Sequence, residues 1–481
     1  MALLTAQTKY GAVRGVEEKG CTVFRGIPFA KPPVGELRFM PPVEPEAWDG
    51  IKVCDTFAPA CIQGMRPGGP KKNISEDCLY LNVWTPAEAA GEKLPVMFWI
   101  YGGGFQSGDG ASPDMNGANL TKHGVIVVTI NYRCGPLGFF SLPEWGDRSG
   151  NFGLLDQAMA LRWVYENISA FGGDPERILV FGQSAGGVST RCMLVSPLTR
   201  HMVRRAIPES GGGLNEADPV HTKEEFQSLC SDTLSELGWT EKDIMERDPV
   251  EVLNALNESG RKVLERTESG RIVGVFQPYI DGYVLPDVPG VMILNGDYNT
   301  DAEVICVTVS GDDWMFSRKV QDVIPESLGG TRPFGLIPGF AWARRQVKTG
   351  GRPIRVLYFN RLREEYKESR MYRPGFAPHG SEIAYVFGNL DTRYRENSEF
   401  DLEVSDKLSR YWTNFAKTGD PNSPDGEGLE QFPLFTAESP KAMLVDDSGF
   451  AMADLLTDDS IVRLMDYTEE HPGMLMSLED F

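Results

Sequence analysis

Four apolar β-formers, Ile178-Leu179-Val180-Phe181, run without a break into Gly182-Gln183-Ser184-Ala185-Gly186-Gly187, and the text from Val188 to Leu194 is helical. A strand can reverse into a helix across a single residue only where the neighbours of the turn lack side chains that would collide. The strand is a continuous apolar run, as in a sheet covered by helices on both faces. This stretch commits its surroundings to strand–turn–helix units and a parallel sheet.

The rest of the chain agrees. Strand patterns fall at 79–84, 96–101, 125–132, 178–182, 205–208, 304–309 and 354–359, several of them continuously apolar. Helical periodicity lies between them, at 154–167 and 405–415, the latter closed by Gly419-Asp420-Pro421. Thr222 and Glu225 make a capping box ahead of Phe226, Leu229 and Leu234. The alternation predicts an α/β fold with a mostly parallel sheet. No Pro/Ser-rich linker divides the chain, so residues 1–481 read as one domain, with a largely helical excursion at about 216–290.

Composition removes several classes of function. With 47 Lys+Arg against 68 Asp+Glu the formal charge is −21, which repels nucleic acid and anionic lipid. A hydrophobic fraction of 41% excludes global disorder. No apolar stretch approaches the roughly 20 residues of a membrane span. The opening MALLTAQTKYG is too short and polar for a signal peptide, so the expectation is a cytoplasmic chain or the mature form of a secreted one. Eight cysteines are too few for a disulfide scaffold. Cys134, Cys192 and Cys306 read as core fillers, whereas spacing alone leaves a Cys61–Cys78 bridge open. Sequons at Asn73, Asn119, Asn167 and Asn257 matter only if the chain is secreted.

Ser184 at such a turn has the position of a nucleophile, with the N-terminus of the following helix aimed at charge developing beside it. It needs a base. This arrangement supplies its partners in the order Ser, acid, His, which leaves out His123. His201 and His221 follow Ser184 too closely to leave room for an acid-bearing strand, and His471 sits in an acidic tail. His379, in Gly375-Phe376-Ala377-Pro378-His379-Gly380, remains. The acid should follow a strand between them, and 304–309 ends in Ser310-Gly311-Asp312-Asp313. One of these two aspartates would hold the imidazole tautomer. Gly102-Gly103-Gly104 after the strand at 96–101 offers unobstructed backbone amides, so Gly103, Gly104 and Ala185 can form an oxyanion hole.

Ordered motifs along nearly the whole chain complete the pattern. They include Phe24-Arg25-Gly26-Ile27-Pro28-Phe29, Ser75-Glu76-Asp77-Cys78-Leu79, Asn131-Tyr132-Arg133, Gly150-Asn151-Phe152-Gly153, Phe171-Gly172-Gly173-Asp174-Pro175, His379-Gly380-Ser381-Glu382 and Thr418-Gly419-Asp420-Pro421. The chain resembles the type-B carboxylesterase/lipase family, the group of bacterial para-nitrobenzyl esterases and, more distantly, cholinesterases. The resemblance implies an α/β-hydrolase fold and hydrolysis of carboxylic esters through an acyl-enzyme without cofactor or metal. It implies Ser184 as nucleophile, His379 as base and Asp313 as the acid, with Ser210 behind them. It also implies a Cys61–Cys78 disulfide.

The sequence departs from the family in four places. Gln183 replaces the usual Glu before the nucleophile, the acid is Asp rather than Glu, and Tyr101 stands where the family usually has His. The stretch between Cys61 and Cys78 contains no aromatic residue to face a choline cation. Phe105, Phe139, Trp314 and Phe316 adjoin the catalytic motifs and are candidates for a substrate pocket. The expected function is a serine carboxylesterase acting on small to medium esters. A feruloyl- or cinnamoyl-type aryl esterase and an acyltransferase are the alternatives, and a non-catalytic adhesion-type member is disfavoured by the complete set of catalytic parts. Oligomeric state stays open.

Overall fold

The strands reproduce the predicted alternation and add two edges to it. In the computed structural model the described residues are 2–64, 73–211, 221–266, 275–312, 336–368 and 374–454, with short pieces at 462, 465–466 and 469–470. In chain order the first strands are β1 (Thr5–Thr8), β2 (Gly11–Arg14), β3 (Val16–Glu18), β4 (Cys21–Pro28), β5 (Ile51–Val53), β6 (Ala60–Cys61), β7 (Ile74–Ser75) and β8 (Tyr80–Thr85). They are followed by β9 (Leu94–Ile100), β10 (Ile126–Ile130), β11 (Gly173–Gln183), β12 (Arg205–Glu209), β13 (Glu303–Val309), β14 (Arg355–Phe359), β15 (Lys441–Asp446) and β16 (Gly449–Asp454).

Eleven of these strands form one sheet in the order β16-β15-β14-β13-β12-β11-β9-β10-β8-β4-β3. The run from β10 through β9 and β11 to β15 is parallel, and both margins are antiparallel. The division follows burial. Every residue of β10, and all of β9 after Leu94, is buried, because helices cover both faces of the centre. The margins mix polar with apolar residues, and the apolar runs there are short, as in Ala442-Met443-Leu444-Val445 of β15. The outer strands β3, β4, β15 and β16 are absent from the sequence-based strand set. β4 is further disguised by a register shift between Phe24 and Ile27.

One face carries the helix Phe152–Asn167 and the helix Ala185–Val195, and the other the helix Glu399–Thr418. Two separate hydrophobic clusters result, one on each side of the sheet. The predicted capping box is present at Thr222, and another, unforeseen, starts the helix after Ser398.

The excursion is helical, with helices Lys223–Leu237, Glu241–Glu246 and Pro249–Arg266. Arg38 fastens it to the N-terminal loops: it is paired with Glu76 at 2.6 and 2.8 Å and donates to the carbonyls of Ile244, Met245 and Arg247. Phe226 stacks on Tyr279 with centroids 4.3 Å apart. Cys61 and Cys78 form a disulfide, as the resemblance implies, and the other six cysteines are buried and outside any disulfide. Among the described residues no helix is long and apolar enough to cross a membrane, and no His/Cys/Asp/Glu cluster is arranged to hold a metal ion.

Candidate active site

Ser184 joins β11 to the helix Ala185–Val195, with φ 58° and ψ −125°. A side chain at positive φ is strained, and the surroundings hold it there. The Ser184 N–H donates to Glu209 O at 2.8 Å, and the Val188 N–H donates to Ser184 O at 2.9 Å. The turn is possible because Gly186 is bare: a Cβ there would lie 2.0 Å from Ile100 O. Any side chain at this position would force the helix away from β9. Ala185, as the first helical residue, has an N–H with no intrahelical acceptor.

The imidazole of His379 reaches the same end of the sheet from the loop after β14. Its Nδ1 is hydrogen-bonded to Asp312 Oδ1 in a very short contact. Asp312 is 3% exposed and the His379 side chain 10%. The other Asp312 oxygen, Oδ2, accepts the Val309 N–H at 2.9 Å. Two loops that are remote in sequence are joined here. The Gly311 N–H donates to Ala377 O at 2.9 Å, and the Ala377 N–H donates to Ser310 Oγ at 2.7 Å. Gly311 permits the contact, since a Cβ there would lie 2.4 Å from Ala377 O.

The aspartate that meets the imidazole is Asp312. The family position selects Asp313, and on an extended chain, where neighbours point to opposite sides, Asp312 would then face away from the histidine. The chain is not extended here. β13 ends at Val309, Ser310 and Gly311 turn, and Asp312 folds back onto the end of its own strand. The bond to Val309 is the local turn bond expected of such an aspartate, and it aims the second oxygen at His379. Asp313, Trp314 and Phe316 lie outside the described residues.

On the opposite edge of the imidazole, Gln183 Nε2 stands 3.0 Å from His379 Nε2. With Nδ1–H donating to Asp312, Nε2 carries the lone pair that accepts from this amide, which is the tautomer of a base. The Gln in place of the usual Glu was visible in the sequence, but this direct contact was not. Sequence reasoning also passed over two acids. Glu209 and Glu382 are 0% and 1% exposed. Burial, then the Glu382 carboxylate, holds Glu209 well above the ordinary carboxylate range, although the Trp412 indole N–H donates to it at 2.9 Å. Burial, then Asp312, pushes Glu382 up to about 7. The available signal was an acidic residue at the head of the apolar run Ile383-Ala384-Tyr385-Val386. For His379 burial acts downward, but the charge of Asp312 and its hydrogen bond outweigh it, with a further upward contribution from Glu382, so the imidazole lies above its ordinary 6.5.

Gly103 and Gly104 follow β9 with φ 109° and 62°. A Cβ on Gly103 would lie 2.0 Å from Ser107 O, and the Gln106 N–H donates to Gly103 O at 3.0 Å, closing a tight turn. Ser210 sits behind the elbow at φ 50°, buried, its N–H donating to Val307 O at 2.8 Å. Phe105 and Phe139 meet edge to face at 5.4 Å and are 3% and 0% exposed. Both belong to the hydrophobic core.

The profile of the carboxylesterase family matches residues 3–327 and 338–461. The chain belongs to the carboxylesterase family. It is 34% identical to the para-nitrobenzyl esterase of Bacillus subtilis over 485 residues, covering 91% of this chain and 94% of that one. It is 43% identical to the fumonisin B1 esterase of Sphingopyxis macrogoltabida, covering 87% and 83%. Among solved structures, a thermophilic PNB esterase superposes with a TM-score of 0.80 at 31% identity, covering 96% of this chain and all of that one (100%). The large parallel sheet with flanking helices is the α/β-hydrolase fold, and this carboxylesterase hydrolyses carboxylic esters through a serine.

Proposed function

We propose that this carboxylesterase works through a Ser184–His379–Asp312 triad and an acyl-enzyme, on small to medium esters. The observation that carries the reading is the bond from His379 Nδ1 to Asp312, which leaves Nε2 as the basic nitrogen beside the elbow. Ser184 Oγ adds to the ester carbonyl while Nε2 takes its proton. The oxyanion is met by the N–H groups of Gly103, Gly104 and Ala185. The imidazolium, stabilised by Asp312, returns the proton to the departing alcohol. Water then attacks the acyl-enzyme with His379 again as base, which frees the acid and Ser184. A series of para-nitrophenyl esters of rising acyl length tests the substrate range. A maximum of kcat/KM at short or medium chains is expected, and a steady rise to long chains contradicts it. The 43% identity to a fumonisin B1 esterase makes fumonisin B1 a test substrate in the same series.

Two further results are expected. His379 must be neutral to act, so kcat/KM should rise with pH through a midpoint above 6.5, because Asp312 and Glu382 raise the imidazole. Glu382→Gln removes a nearby negative charge and should move the midpoint down, whereas Gln183→Glu adds one beside Nε2 and should move it up. A profile flat from about pH 5 to 9, with chemistry limiting, would refute His379 as base.

The second concerns cations. With no aromatic residue between Cys61 and Cys78, a quaternary ammonium gains no π-face there. Butyrylcholine should be turned over no faster than its neutral isostere 3,3-dimethylbutyl butyrate. A marked preference for butyrylcholine in paired kcat/KM measurements would reveal another cation site.

A further inference from the structure

Backbone pairing between β9 and β10 ends at Trp99 and Thr129, yet the chain ends beyond it remain fastened. Tyr101 Oη donates to Tyr132 O at 2.9 Å, and Tyr132 Oη donates to Tyr101 O at 3.0 Å. The Tyr132 N–H in turn donates to Tyr101 Oη at 3.2 Å. The rings stack with centroids 4.3 Å apart and 16° between their planes. Both are buried, and burial pushes both phenols well above their ordinary value, so both keep the proton they donate.

The carbonyl that Tyr132 holds is the last one before Gly102. A Cβ on Gly102 would lie 2.4 Å from Gln183 O and 2.8 Å from Ser184 Cβ, so this peptide rests directly on the nucleophile turn. The far end of the glycine loop closes over the other ring: a Cβ on Gly108 would lie 2.1 Å from Tyr101 Cδ2. Gln63 secures that end, accepting the Gly108 N–H at 3.0 Å and donating to Gly108 O at 2.7 Å. The loop that carries Gly103 and Gly104 therefore begins at a carbonyl pinned by one phenol and ends wrapped round the ring of the other.

We propose that Tyr101 and Tyr132 are positioning residues for the oxyanion-binding loop, locking the Gly103 and Gly104 amides in the direction a tetrahedral intermediate requires. The inference rests on the reading of those amides as oxyanion donors given above. Three consecutive glycines have more backbone freedom than any other tripeptide. Donors stabilise developing charge best when they need no reorganisation during the reaction. The phenols reach no reacting atom and act through the glycine backbone. Their loss should therefore show in the transition state and not in ground-state binding.

The test is Tyr132→Phe, which keeps the stacked ring and deletes the bond to Tyr101 O. In the folded variant kcat should fall roughly 10- to 100-fold with KM within about twofold. Affinity for a trifluoromethyl ketone, which forms a tetrahedral adduct with Ser184, should fall by the same factor. Affinity for the matching secondary alcohol, which forms none, should not change. Tyr101→Phe should behave alike. An unmoved kcat and ketone affinity, or an equal loss for ketone and alcohol, overturns the proposal. If neither variant folds, hydrogen exchange in the unaltered protein decides. Gln106 and Gly108 amides protected like Val127 in β10 support a locked loop, and exchange as fast as in an exposed turn refutes it. Organophosphate labelling of the unaltered protein separates the two readings. No label on Ser184 defeats the proposed function, whereas a labelled Ser184 with kcat unmoved in Tyr132→Phe defeats only the tyrosine pair.

Discussion

Ser184→Ala is expected to lower kcat by about 10⁶-fold while the melting temperature stays near that of the unaltered protein. The serine supplies the covalent step, and without it only the oxyanion amides and substrate positioning remain, worth roughly 10³–10⁴ over water. Alanine tolerates the same turn no worse than serine, because the strain at φ 58° is imposed by the Glu209 and Val188 backbone bonds and not by the hydroxyl. A fluorophosphonate that labels the unaltered chain stoichiometrically should leave the variant untouched. Residual turnover within about tenfold of the original would remove Ser184 from the mechanism.

The second large effect separates two adjacent aspartates. Asp312 uses both oxygens, Oδ2 for the Val309 N–H and Oδ1 for His379 Nδ1. An asparagine there has one acceptor oxygen for two donors. If the oxygen stays on Val309, the amide nitrogen faces Nδ1, the imidazole proton moves to Nε2, and the base loses its lone pair. The charge that stabilises the imidazolium is lost as well. Asp312→Asn should therefore lower kcat by about 10⁴-fold. Asp313→Asn should stay within a few-fold, since the described contacts of His379 Nδ1 are met by Asp312. Measured under the same conditions, the reverse ranking would return the acid to Asp313.

The Asp312 assignment marks how far the sequence could be read. Everything up to Val309 follows from an apolar run with period and length suited to a covered strand. Choosing between Asp312 and Asp313 needed the direction of a side chain after the strand had stopped. Alternation holds only along an extended chain, and Ser310 and Gly311 leave that conformation.

The pairing of loops was equally out of reach. Gly311 and Ala377 are hydrogen-bonded across more than 60 residues of chain, and no periodicity records such a contact. The same holds for Gln183 and His379, separated by 196 positions. Both contacts exist because parallel strands bring all their C-terminal ends to one edge of the sheet, so loops distant in the chain become neighbours there. The outer strands β3, β4, β15 and β16 escaped for a different reason. Their apolar runs are short and broken by polar residues, and their pairing is decided by the strand already beside them.

What the amino-acid sequence determined by itself was local: the apolar runs that must be covered, the bare glycines that allow a strand to turn into a helix at Ser184, the caps that start helices. These are set by steric fit and solvation over a few neighbouring residues. The tertiary structure decided which aspartate meets the imidazole, which amide faces its other nitrogen, and which phenols hold the glycine loop. Those choices depend on where remote backbone lies to within about an ångström, and only the assembled sheet supplies that.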